Sequence, residues 1–216
     1  MMSPRLQPRA KWSLKTILIL ALAGLSVSAL AAGDPAAGQA QAAACGACHG
    51  QDGATGLDPS YPNLAGQNER YLTSQLEMIR DGGRSIPLMA GQLNGKTDQN
   101  LADLAAYYAS LPGKVNQSQG DDSTLAMGEQ IYRGGIIAKG VAACTSCHSP
   151  SGNGNVAAGY PDIGGQPNAY TIAQLTAYRE GERQTDEAYG GMMRGVAAGL
   201  TDKEIAAIAE YVQGLH

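Results

Sequence analysis

Apolar positions recur at helical spacing in two stretches, one near residue 105 and one near the C-terminus. Their spacing of three or four residues is that of an amphipathic helix with one face on a core. Thr97 and Thr201 precede the stretches, and Thr201-Asp-Lys-Glu204 has the form of a capping box. We therefore predict two helices starting at Thr97 and Thr201. Their apolar stripes are Leu101, Leu104, Tyr108 and Leu111, and Ile205, Ile208, Val212 and Leu215.

The same reading predicts further helices upstream of each stripe. A middle helix is expected over Glu69–Arg80, with its equivalent over Ala169–Arg179. An Ala-rich helix is expected over Pro35–Ala47, and the Met127–Arg133 segment starts similarly. Segments rich in Gly, Pro and Asn separate the helices and are predicted to be irregular. No strand pattern is found, so the predicted fold class is all-α.

The order of elements repeats because the sequence repeats. Tyr61–Gln67 matches Tyr160–Gln166 at an offset of 99 residues, and Thr97 matches Thr201 at an offset of 104. A long register with one insertion of five residues indicates an internal duplication. We predict two tandem domains, residues 32–115 and 116–216, joined by a polar linker over residues 114–122.

The four cysteines of the chain lie in two copies of one motif. Cys45-Gly-Ala-Cys48-His49 recurs as Cys144-Thr-Ser-Cys147-His148. Cys-x-x-Cys-His is the attachment pattern of c-type haem, in which the two thiols bond the porphyrin and the adjacent imidazole ligates iron. Two copies with no cysteine left over predict two covalently bound haem c groups.

Zinc and disulfide bonds are the alternatives for these cysteines. Paired motifs of a structural zinc site usually lie within about 20 residues of each other, much closer than here. A redox-active dithiol of the thioredoxin type needs βαβ surroundings, which the pattern does not provide. A disulfide across two intervening residues constrains the unfolded chain little. Haem attachment is the favoured interpretation.

Residues 1–31 are predicted to be a cleaved signal peptide. A basic segment precedes an apolar run over residues 17–30, and Ala29-Leu-Ala31 fits the cleavage rule. The run is shorter than the roughly 20 residues of a spanning helix, which makes an uncleaved anchor the weaker alternative. The expected location is the periplasm. The basic residues of the segment are Arg5, Arg9, Lys11 and Lys15.

Charge and composition reduce the number of functions that the chain could have. Removing those four basic residues from 15 leaves 11 against 19 acidic residues, a net charge of −8. Nucleic-acid binding needs basic patches, so no nucleic-acid partner is expected. The chain has no Phe, and its single Trp is Trp12 in the predicted signal. A haem in each half would supply the apolar bulk that a small domain needs.

The sixth ligand of each iron is predicted to be a methionine. The third histidine, His216, is the last residue, so two histidines per iron are not available to both haems. Thioether sulfur is a natural alternative that raises the reduction potential. Met89 and Met193 lie in loops eight residues before Thr97 and Thr201 respectively. Met192 remains the alternative in the second half.

Other groups around the haems are less determined. A ligating imidazole normally donates its other N–H to an acceptor. The carbonyls of Pro62 and Pro161, each thirteen residues after its histidine, are candidates. Arg84, Arg183 and nearby tyrosines are unranked candidates for contacts to the propionates.

With these motifs, the chain resembles the cytochrome c4 family of dihaem proteins over residues 32–216. The Tyr-Pro-x-Leu/Ile-x-Gly-Gln repeat and the Met193–Ala198 segment carry the resemblance together with the cysteine motifs. It implies two class I cytochrome c domains about a pseudo-two-fold axis, with propionate edges facing each other. It implies axial pairs His49 with Met89 and His148 with Met193, and proline carbonyls behind the histidines.

The resemblance also implies an electron carrier, not an enzyme, that donates to a respiratory terminal oxidase. Redox proteins are the expected partners, the expected state is a monomer, and peripheral membrane association is left open. Rival interpretations are a cytochrome subunit of a dehydrogenase, a peroxidase with a displaceable ligand, and a haem-free zinc module.

Overall fold

The computed structural model describes residues 32–216, and the predicted signal peptide lies outside the described residues. This part of the chain forms one compact unit. It contains no strand, only isolated bridges at Ile136–Val141 and Asn155–Tyr160. The all-α prediction is confirmed. Among the described helices, none is long and apolar enough to cross a membrane.

The first half contains four helices in the predicted order. They are α1 (Pro35–Gln41), α2 (Ala43–His49), α3 (Glu69–Arg80) and α4 (Asp98–Ser110), with a 3-10 turn at Pro87–Met89 before α4. The predicted first helix is broken at Ala42 and continues through His49. Helix α3 has the predicted bounds, and Asn68 caps it by accepting from the Tyr71 N–H.

The second half repeats this order with additions. Its helices are α5 (Asp122–Gly134), α6 (Thr145–His148), α7 (Asn168–Arg179), α8 (Met192–Ala197) and α9 (Asp202–Gln213). The predicted capping box of Thr201 and Glu204 is present, and Thr97 forms a second one with Asn100. The second half also has 3-10 turns at Ile137–Lys139 and Glu187–Tyr189, and the second of these lies in the region of the five-residue insertion.

Each half has its own core beneath its last helix. In the first half, α1 and α3 both pack on α4, and Leu72, Leu104 and Tyr108 are buried together. In the second half, α5 and α7 both pack on α9. Its buried side chains are Ile131, Tyr132, Val141, Leu200, Ile205, Ile208, Val212 and Leu215.

Residues 114–121 of the predicted linker are irregular, but they do not hang free of the rest of the protein. The Asn116 amide donates to the Gly165 carbonyl at 2.6 Å, and the Gln213 amide donates to the Gln117 carbonyl at 2.9 Å. The Gly120 N–H donates to the Glu210 carboxylate at 2.6 Å. The linker therefore lies bound along the second half.

A glycine on the first helix of each half allows close contact with the last helix. A Cβ at Gly38 would lie 2.0 Å from the Asp103 carbonyl oxygen, and one at Gly128 would lie 2.1 Å from that of Ala207. Because both obstacles are backbone atoms, no side-chain rotation can relieve the clash. The helix crossings α1–α4 and α5–α9 therefore require glycine at these positions.

We predict that Gly128→Ala destabilises the protein by about 1–3 kcal/mol, because the added methyl group forces α5 away from α9. Gly134→Ala in the same helix is the matched control, since a Cβ there meets nothing within 4 Å. The control should match the wild type or be slightly more stable. Thermal unfolding of the haem-loaded protein measures both, and equal melting temperatures for the two variants would contradict the prediction.

Candidate haem sites

Each cysteine motif lies on one short helix, so its three side chains project from adjacent turns. Cys45, Cys48 and His49 belong to α2, whereas Cys144 caps α6 and Cys147 and His148 lie within it. None of the four cysteines forms a disulfide bond with another. Cys48 is exposed and the other three are partly buried, so all four are available for attachment.

Both motif histidines are buried, with 7% of each exposed, and both are held by a proline carbonyl. The distance from His49 Nδ1 to the Pro62 oxygen is 3.0 Å, and that from His148 Nδ1 to the Pro161 oxygen is also 3.0 Å. A carbonyl can only accept, so Nδ1 carries the proton and Nε2 keeps its lone pair for a metal. The expected acceptors are thus found in both halves.

Burial also lowers the pKa of both imidazoles. The apolar surroundings disfavour the charged form of His49 and His148, and the hydrogen bond to proline only partly offsets this. Each ring is consequently neutral at physiological pH. Neutral imidazole with a free Nε2 is the form that ligates iron.

The cysteine pairs do not assemble into a zinc site. Between residues 32 and 216, no three His, Cys, Asp or Glu side chains are grouped closely enough to hold a metal ion. The remaining histidine, His216, is exposed and its Nδ1 lies 3.0 Å from the Gly214 carbonyl. Each motif histidine therefore lies with the two thiols of its own motif and not with those of the other.

The candidate methionines lie in different local structures from those expected. Met89 ends the 3-10 turn Pro87–Met89, and Met193 lies in helix α8 instead of a loop. Both are partly buried, whereas 41% of Met192 is exposed. Met192 Sδ lies 4.0 Å from Cys147 Sγ. The assignment of Met89 and Met193 as iron ligands stays a prediction.

A buried acid fixes the helix that carries Met193. Asp186, only 3% exposed, accepts from the Arg194 backbone N–H at 2.9 Å and from its Nε at 2.8 Å. These bonds satisfy a donor at the start of α8 and pair the carboxylate with a charge. Asp186 thus braces the helix that carries Met193.

Two buried arginines meet where the halves touch. Arg84 donates to Gln75 in its own half and to Tyr170 and Gln174 in the other. Arg183 mirrors it, donating to Gln174 and, across the boundary, to Tyr71 and Gln75. The partners of both guanidinium groups within residues 32–216 are neutral side chains.

The positive charge of these two arginines affects the pKa of a neighbouring tyrosine. Burial raises the pKa of Tyr170, but Arg84 and Arg183 outweigh it and the net effect lowers that pKa. A buried charge without an opposite partner costs several kcal/mol. Such a region fits anionic groups, and haem carries two carboxylates. The thiol pairs, neutral histidines and buried guanidinium groups therefore suit haem c.

Comparison with known proteins agrees with this geometry. The cytochrome c family model matches residues 35–112 and 126–216. A cytochrome c4 from Pseudomonas aeruginosa is 50% identical to the chain, covering 93% of it and 98% of the relative. The chain belongs to the cytochrome c4 family.

Other relatives of this cytochrome c4 family member extend the comparison. The crystal structure of reduced recombinant cytochrome c4 from Pseudomonas stutzeri superposes with a TM-score of 0.82 at 47% identity, covering 86% of this chain and 100% of that one. A thiosulfate dehydrogenase electron acceptor from Thiomonas intermedia is 35% identical, covering 82% of this chain and 81% of the relative.

Family membership confirms the central predictions. The chain consists of two cytochrome c domains and binds two haem c groups covalently, at Cys45 with Cys48 and at Cys144 with Cys147. Proteins of this family transfer electrons and are not enzymes. When bound by these cysteines and histidines, haem would supply the redox chemistry, since its iron can exist in the ferric and the ferrous state. The exact domain limits, 32–115 and 116–216, stay predictions.

Several functional residues were not recognised from the sequence. Gln67 and Gln166 end the repeated Tyr-Pro motif, and both cross to the opposite half. Gln75 and Gln174 join the arginine network. The repeat itself was the only signal, since a matched polar residue on a helix face otherwise suggests a solvated position.

We predict that Met193→Ala removes about half of the thioether-to-iron charge-transfer band of the ferric protein, because one of two sulfur ligands is lost. Met192→Ala, next to it in α8, should leave the band nearly intact. Met89→Ala should remove the other half. Visible spectra of the three variants decide this, and a reversed result for Met192 and Met193 would assign the ligand to Met192.

Asp162 predicts a pH-dependent stability. Burial raises the pKa of its carboxyl to about 6, although the Gly164 N–H lowers it in part. A folded-state pKa above the unfolded value means that the folded protein binds more protons between about pH 4 and 6, so stability falls as pH rises through this window. The first half has Asn63 at the equivalent position.

Asp162→Asn should therefore raise the free energy of unfolding by about 1–3 kcal/mol at pH 7 and leave it nearly unchanged at pH 4. The reciprocal variant, Asn63→Asp, should lower stability at pH 7. Denaturant unfolding of the ferric protein at several pH values tests both. A gain for Asp162→Asn that is the same at pH 4 and pH 7 would rule out this carboxyl as the cause.

Proposed function

We propose that the protein is a periplasmic electron carrier that delivers electrons, one at a time, to a respiratory terminal oxidase. The observation that supports this best is the presence of two separate, buried histidine sites with the same carbonyl brace. A ligand held in this way moves little when the iron changes charge, which favours rapid electron exchange. Methionine at the sixth position would raise both potentials toward those of an oxidase donor.

The N-terminal sequence supports the proposed location. A basic segment, an apolar run and Ala29-Leu-Ala31 are typical of an exported precursor. We infer cleavage after Ala31, which would give a mature protein that begins at Ala32 and carries a charge of −8. Acidic surfaces favour transient docking to a positively charged partner by raising the encounter rate. We expect the carrier to act as a monomer.

One relative suggests a second role, in which this protein accepts electrons from a dehydrogenase. The thiosulfate dehydrogenase electron acceptor is 35% identical over most of both chains. This chain could thus accept electrons from a dehydrogenase of that type and pass them to the oxidase. The two roles involve opposite steps of one carrier and are separable by experiment.

Stopped-flow mixing distinguishes them. Reduced protein mixed with oxidase-containing membranes should be oxidised rapidly, and the rate should fall by roughly tenfold at high salt because encounter is electrostatic. Oxidised protein mixed with a thiosulfate dehydrogenase and its substrate tests the second role. Reduction in the second mixture without oxidation in the first would reject the oxidase as partner and retain the carrier.

A further inference from the structure

Each half of the protein extends one buried glutamine side chain to the backbone of the other half. Gln166 Nε2 donates to the Asn63 carbonyl at 2.9 Å, and its Oε1 accepts from the Asn63 N–H at 3.0 Å. Gln67 makes the same pair of bonds to Asp162, at 2.7 and 2.8 Å. Because a backbone N–H can only donate and a carbonyl can only accept, the orientation of both amides is fixed.

Each glutamine binds the backbone of a residue that comes immediately after a proline in the sequence. The carbonyl of that proline is the one that accepts from a haem-ligating histidine. The Pro62 carbonyl and the Asn63 N–H belong to one peptide unit. That unit accepts from His49 Nδ1 on one side, at 3.0 Å, and donates to Gln166 Oε1 on the other. A continuous chain therefore runs from the imidazole N–H through one peptide to the opposite half. The Pro161–Asp162 unit makes the equivalent chain from His148 to Gln67.

Hydrogen bonds in such a chain polarise one another. When the glutamine oxygen accepts the peptide N–H, electron density at the proline carbonyl rises and its bond from the imidazole strengthens. A stronger bond at Nδ1 makes Nε2 a more basic ligand. A more basic ligand favours the ferric state over the ferrous state and so lowers the reduction potential.

Burial protects this effect from water. The exposed fractions are 5% for Gln67, 8% for Gln166 and 6% for Asn63. Because solvent does not reach these groups freely, it cannot replace a lost glutamine bond without rearranging the interface.

We propose that Gln166 tunes the reduction potential of the haem bound by His49, and that Gln67 tunes that of the haem bound by His148. Both are positioning residues that act through a peptide unit of the other half. Each domain thereby sets the redox behaviour of its neighbour. The proposal goes beyond the choice of redox partner and holds whichever partner is found.

The test is a crossed comparison of Gln166→Leu and Gln67→Leu in the haem-loaded protein. Gln166→Leu should raise the ratio of reduced to oxidised haem in the first domain about twofold at a fixed potential, with the second domain nearly unchanged. Gln67→Leu should do the reverse. Haem methyl resonances, followed by NMR through a redox titration, report the two domains separately.

A second measurement does not depend on redox titration. In the ferrous protein, Gln166→Leu should shift the Nδ1–H resonance of His49 and speed exchange of the Asn63 amide, with His148 and Asp162 unaffected. Gln166→Met serves if the leucine variant does not fold, because it keeps the length of the side chain.

Asn68→Ser is the matched control for loss of an interdomain bond. Asn68 Nδ2 donates across the boundary to the Asn155 and Tyr160 carbonyls, and serine keeps the cap of α3. This variant should leave both potentials unchanged. Equal shifts of both haems in either glutamine variant, a shift confined to the variant's own domain, or no shift would each overturn the proposal.

Discussion

The hydrogen bond between a histidine ring and a proline carbonyl is the interaction on which each half of this protein depends. It places the proton on Nδ1, leaves Nε2 for iron, and joins the cysteine helix to the loop that follows it. Burial favours the neutral ring, so each histidine is already in the form that can ligate iron. The same loop then carries the contacts to the other half. Ligand orientation and domain association thus depend on one short segment.

The parts of this structure that could be predicted from the sequence are those with a local signal. The cysteine motifs, the stripe of the last helix and the Thr201 box each depend on residues within a few positions. The break at Ala42 and helix α8 were missed because propensity alone does not show them. The Asp186–Arg194 pair that braces α8 has no counterpart in the first half, where Ala90 occupies the position of Arg194, so the repeat did not predict it. The hydrogen bonds between the two halves could not be predicted, because their partners are about 100 residues apart in the sequence.

The two halves are alike in fold and unlike in electrostatics. Arg183 has Thr185 on its Nε and the Tyr178 ring 4.6 Å away, whereas the first half has Ile86 and Ile79 at those positions. The second half also has a carboxyl, Asp162, where the first has an amide. Each arginine nevertheless shares its glutamine partners with the other. Duplication has therefore produced two haem environments that differ in polarity while remaining physically joined.

The attachment of the linker to the second half has a mechanical consequence. Since the bonds of Asn116, Gln117 and Gly120 hold the connection against that half, its contour length does not determine how far apart the domains lie. Extra residues inserted there would bulge outward. The distance between the two halves would stay the same, because it is set by the contacts between them. The spacing of the two histidine sites is thus set by the hydrogen bonds between the halves, and the tether does not act as a swinging arm.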